Sequence, residues 1–148
     1  MSSAPHSAAP SLVDRVDHVD AFAVALPAGA PTDPAAWVDE IFSIDDLPEW
    51  VGRLFTLRSA LVPLLGLPAK PAENPFRVRE VRDGEALVLA KDRHLDFAFG
   101  LRCEQGRMVA TTVVHLHGWR GRVYWLPVSR FHGPVLAAMM RRAVERAG

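Results

Sequence analysis

His94 and Asp96 stand two residues apart, as do His115 and His117, inside stretches that read as β-strands. Side chains two apart on a strand project from the same face. A carboxylate beside an imidazole orients the ring and supports its charged form, the arrangement that general acid–base chemistry uses. His94 and Asp96 are therefore the first catalytic candidates, and Tyr124, clustered with Trp119 and Trp125, is a third. The competing reading makes His94 and Asp96 part of a polar outer face opposite Leu95, Phe97 and Phe99. The catalytic reading requires them to line a cavity. Two imidazoles on one strand face can also bind a metal ion. Near His115 and His117 there is no third ligand except a histidine brought in by folding, such as His94 or His132. Two surface histidines are the expectation, and no metal and no cofactor are predicted.

Other side chains carry narrower possibilities. Arg58 could grip a ligand's carboxylate in bidentate fashion, or serve in an ion pair or face solvent. His132 opens the expected last helix and would help satisfy its terminus. Cys103 is the one cysteine, which excludes an internal disulfide and a thiolate cage for zinc. It falls on the apolar side of a strand with Leu95, Phe97, Phe99 and Leu101, so a buried structural thiol is expected. There is no Gly-x-Ser-x-Gly elbow, phosphate loop, two-histidine zinc helix or dinucleotide fingerprint. Gly118-Trp119-Arg120-Gly121 resembles the backbone-clamping loop of some RNA-binding modules, but those loops join helices and this one is expected to join strands.

The elements that must position these groups follow from periodicity. Asp20 to Leu26 reads as a strand ended by Pro27 to Pro31. Thr32 or Asp33 can cap a short helix with Pro34 in its first turn and Trp37, Val38, Ile41 and Phe42 on its apolar side. A second helix is expected from Asp45 or Asp46 to Leu65, burying Trp50, Val51, Leu54, Phe55, Leu57 and Leu61 and stopped by Gly66. From Phe76 the period changes to two. Strands are expected from Phe76 to Val81, Ala86 to Ala90, His94 to Cys103, Arg107 to Leu116 and Gly121 to Val128, with turns at Asp83-Gly84, Gln105-Gly106 and Gly118–Gly121. Phe131, Val135, Met139 and Ala143 then mark a C-terminal helix.

This order predicts an α+β fold of the helix-grip type. About six strands form a curved antiparallel sheet packed on a long C-terminal helix, with two short helices after the first strand. A chain of 148 residues suits one domain, expected over residues 15–148 behind a loose tail at 1–14. Seventeen basic residues balance seventeen acidic ones, so net charge gives no reason to expect nucleic acid or an anionic membrane. The N-terminal stretch reads as neither a signal peptide nor a membrane span, and a cytoplasmic setting is the default.

Several segments together resemble a known family. They are Leu47-Pro48-Glu49-Trp50-Val51, Leu54-Phe55-Thr56-Leu57-Arg58, His94-Leu95-Asp96-Phe97, Thr111-Thr112-Val113-Val114, Gly121-Arg122-Val123-Tyr124 and Phe131-His132. In this order and spacing they look like the bacterial DUF2867 family, grouped with the START/Bet v 1-like (SRPBCC) superfamily. The resemblance spans roughly Asp17 to Arg142. It implies the helix-grip fold and, more loosely, an apolar ligand, but it carries no catalytic residue.

Three functions remain open on this reading. The first is a binding domain whose internal cavity takes a small apolar or amphipathic molecule, lined by Leu95, Phe97, Phe99, Thr112, Val114, Leu116 and Met139, with Arg58 and Tyr124 as polar contacts. The second is an enzyme of cyclase, dehydratase or hydrolase type using His94 with Asp96 or Tyr124. The third is a protein-interaction module, with a homodimer as one form, whose cavity is filled by its own four tryptophans and seven phenylalanines.

Overall fold

The computed structural model describes residues 7–42, 49–50, 53, 78–91 and 95–147. A 3-10 turn at Ala9–Leu12 precedes strand β1 (His18–Ala25) and helix α1 (Pro34–Ile41). Strands β2 (Glu80–Arg82), β3 (Glu85–Lys91), β4 (Leu95–Glu104) and β5 (Arg107–Leu116) follow, and helix α2 (Gly118–Ala147) ends the chain. The strands form one antiparallel sheet in the order β1-β5-β4-β3-β2. The fold is α+β, and a sheet against a C-terminal helix is the helix-grip plan in broad outline.

Local chemistry explains most of these elements. Asp33 caps α1 by accepting a hydrogen bond from the Ala35 amide at 3.1 Å, and Pro34 occupies the first turn. Both described hairpin turns use the left-handed region: Asp83 and Gly84 have φ of 51° and 78°, and Gln105 and Gly106 have 51° and 72°. Two successive positive φ values match a tight turn to the twist of its strands.

The main correction concerns Gly121–Val128. This stretch is not a sixth strand; it is the first half of α2, a helix of 30 residues with Pro127 and Pro134 inside it. Gly121, Tyr124, Trp125, Val128 and His132 turn inward at steps of three or four, and Val135, Leu136, Met139, Met140 and Ala143 continue the stripe. That long helical period outweighs the local β propensity of Val123-Tyr124-Trp125. Gly118–Gly121 accordingly starts a helix instead of joining two strands. The helix expected from Asp45 to Leu65, with Arg58, lies outside the described residues except for Glu49, Trp50 and Arg53, which are helical. Trp50, expected on the buried side, is 44% exposed.

The front face of the sheet carries the main core. Phe99, Leu101, Met108 and Ala110 pack with Trp37, Val38 and Ile41 of α1 and with Leu136, Met139, Met140 and Ala143 of α2. Arg142 ties the two helices together, donating to the Ile41 and Glu40 carbonyls at 3.2 and 3.4 Å and so satisfying the end of α1. The back face is covered in part by the N-terminal segment. Ala9 and Val13 pack on Leu87, Ala98 and Val113. Buried Glu85 holds this segment by accepting from the Ser7 hydroxyl at 2.6 Å and the Ala8 amide at 2.8 Å. The stretch expected to be a loose tail through residue 14 is thus docked from Ser7 onward.

Candidate functional site

β1 reaches the front face with His18, Asp20, Phe22 and Val24, the half-buried positions of its alternating pattern. In the ladder with β5, His18 lies opposite Val114 and Asp20 opposite Thr112. The first half of α2 lies against this corner. Asp20 Oδ2 is 2.9 Å from His18 Nε2 and 3.5 Å from His132 Nε2, and Trp125 packs edge-on against His18 with ring centroids 5.0 Å apart. A strand carboxylate therefore stands between two imidazoles, one from the sheet and one from the helix.

Electrostatics favours the charged carboxylate there. Burial, the largest single influence, pushes the Asp20 carboxyl upward, but the imidazoles of His132 and His18 together outweigh it and hold it below its usual value of 3.8. Thr112 Oγ1 is buried at this corner with no hydrogen-bond partner among the described residues, and buried His132 Nε2 has only its long ion pair with Asp20. At 3.5 Å the His132 nitrogen is too far from Asp20 for a good hydrogen bond. Buried polar atoms are nearly always paired, so the Thr112 hydroxyl beside this ion pair calls for a partner.

The expected wall residues share one face. Leu95 pairs with Leu116, Phe97 with Val114 and Phe99 with Thr112, all turned toward the front. Phe99 and Met139 sit in the packed core under the second half of α2, whereas Leu95 and Phe97 are only partly buried. Tyr124 is half-buried on the first half of α2. Two surface hollows, of about 270 and 220 Å³, lie elsewhere. One separates Leu26–Thr32 from Cys103–Gly106; the other is bounded by Pro31, Trp37, Glu40 and Arg146. Neither touches the expected walls.

The expected acid–base pair divides differently. His94 lies outside the described residues. Asp96 is buried on the back face, where it cannot share a front cavity with Phe97, and its partners are His115 and His117. Asp96 Oδ2 lies 3.6 Å from His115 Nδ1 and 3.1 Å from His117 Nε2. Among the described residues the third group beside the histidine pair is thus Asp96, and His132 stands instead against Asp20. Cys103 packs at the core edge, and burial, with the Asp33 charge behind it, pushes its thiol up, in keeping with a structural role.

Asp20, His18 and the true place of His132 escaped sequence reasoning. The signal was present: His18-x-Asp20 has the same strand spacing as His94-x-Asp96. What no spacing could supply was that α2 extends far enough back to set His132 over β1.

No helix among the described residues is long and apolar enough to cross a membrane. No curated protein and no solved structure matches the chain. Residues 12–139 match the family described as "Protein of unknown function (DUF2867)". That span runs from the last residue of the N-terminal turn into the second half of α2, and the chain belongs to the DUF2867 family.

Proposed function

We infer that this chain is a small-molecule-binding domain of the START/Bet v 1-like kind, taking an amphipathic ligand between the sheet and the first half of α2. The ligand's polar end meets Thr112, His132 and Asp20, and its apolar body runs along Leu95, Phe97, Val114 and Leu116. The observation that carries this reading is the buried Thr112 Oγ1, without a hydrogen-bond partner among the described residues, across the ladder from a charged carboxylate held between two imidazoles. A ligand hydroxyl would satisfy Thr112 Oγ1, and burying that atom without such a partner costs about 1–3 kcal/mol. The core under the second half of α2 is closed by large side chains, which leaves the first half as the binding end.

A threonine-to-valine exchange separates this reading from a structural one. Thr112→Val removes a buried, unpaired hydroxyl at nearly constant volume, so the free protein should hold or gain up to about 1 kcal/mol in denaturant unfolding. The same variant should lose the thermal stabilisation that a panel of amphipathic acids and alcohols gives the parent. An unchanged response of Thr112→Val to every active compound would sink the proposed polar end.

A second reading rests on the same corner. A carboxylate between two imidazoles can hold and move a proton, so Asp20 with His18 and His132 offers an acid–base group for a cyclase, dehydratase or hydrolase. His132→Ala should then abolish turnover of a bound compound while leaving its affinity within about threefold.

A further inference from the structure

We propose that the back face of the sheet carries a second, independent site: a divalent transition-metal centre formed by Asp96, His115 and His117. The three candidate ligand atoms lie within 4.8 Å of one another. Two ligands of one zinc ion, each about 2.0–2.2 Å from it, stand roughly 3.0–3.6 Å apart. The separations of 3.1 Å (Asp96 to His117) and 3.6 Å (Asp96 to His115) fall in that interval. The longer one is too long for a hydrogen bond, and His115 Nδ1 is buried with no such partner among the described residues. It is a distance that two ligands of a shared ion adopt.

Burial and charge make the same case. The Asp96 side chain is only 6% exposed. Among the described residues no arginine or lysine pairs with it, not even Lys91 across the ladder on β3. A carboxylate this buried needs a compensating positive charge, and a divalent cation held with two imidazoles supplies it. The backbone builds the triad: Asp96 and His115 are ladder partners on β4 and β5, and His117 follows two residues on, just past the strand end.

The donor set selects the ion. Two imidazoles and one carboxylate suit zinc, cobalt, nickel or ferrous iron, lack the thiolates that favour cuprous copper, and are too nitrogen-rich for magnesium or calcium. His117 is 35% exposed, so one side of the centre faces solvent. Three protein ligands with an open side are the mark of an exchangeable, water-carrying metal rather than a closed structural one. The centre lies on the opposite face from Asp20, and neither proposal depends on the other.

The test uses the full chain stripped with a chelator and titrated with zinc by calorimetry, with cobalt as an optical probe. One ion per chain is expected, together with the intense visible bands of four- or five-coordinate cobalt. His117→Ala, a change at a partly exposed position, should weaken zinc binding by more than about 100-fold, because loss of an outer-shell partner alone costs about 10–100-fold. Asp96→Asn should act in the same direction, and His18→Ala should leave the affinity unchanged. Absence of stoichiometric binding, or a His117→Ala chain that binds zinc as the parent does, would overturn the proposal.

Discussion

Asp20 does its work through protonation state, which gives residue-scale chemistry a direct readout. Its folded pKa lies below the ordinary 3.8 because His132 and His18 outweigh the effect of burial. A depressed carboxylate pKa means that the folded state binds fewer protons, so the stabilisation is complete above the unfolded value. It is lost as pH falls through the folded value. Acidification from about pH 5 to pH 2 should therefore destabilise the parent chain more than Asp20→Asn, which should already be less stable at neutral pH by about 1 kcal/mol. Denaturant unfolding at several pH values measures this. Parallel curves for the two proteins would remove Asp20 from the account. The sequence carried the ingredients, a His-x-Asp on a strand and a distant histidine, but the partner of Asp20 comes from another element. The same holds for Asp96, whose partners His115 and His117 sit on the neighbouring strand and just past its end.

At the scale of elements, strands β3, β4 and β5, both tight turns and the cap of α1 were all legible. Each rests on local chemistry: alternation, paired positive-φ residues, and an aspartate before a proline. The start of α2 was not, because Val123-Tyr124-Trp125 satisfies a strand locally and only the stripe from Gly121 to Ala143 shows the helix. The N-terminal segment was misread for a related reason. Its alanines, serines and prolines make a weak local pattern, and its order comes from Glu85 and from the bare backbone of Gly100 beneath it. A β-carbon at Gly100 would run into the Glu85 carboxylate and lie 2.9 Å from Ser7 Oγ. Gly100→Ala should thus cost about 1–3 kcal/mol and speed amide exchange at Ala8 and Ala9. Unchanged exchange there would show that Glu85 does not hold the segment.

Taken whole, the molecule is a sheet with two differently finished faces. The front meets two helices: its core is closed beneath the second half of α2, while the corner beneath the first half retains a charged carboxylate between two imidazoles and a buried hydroxyl with no partner among the described residues. The back receives the N-terminal segment and, beyond it, the Asp96 triad. The order of periodic segments foretold the α+β class, and alternation placed every described wall candidate of β4 and β5 on one face. Which end of that face stays polar depends on how far α2 runs, which is a tertiary fact. The most direct test of the ligand claim is native mass spectrometry of the purified chain before and after exposure to an apolar metabolite extract. A discrete added mass, lost on denaturation and absent from the Thr112→Val, His132→Ala double variant, is the predicted result. The bare chain mass under both conditions, above all as a dimer, would contradict it and favour a filled core serving a protein partner.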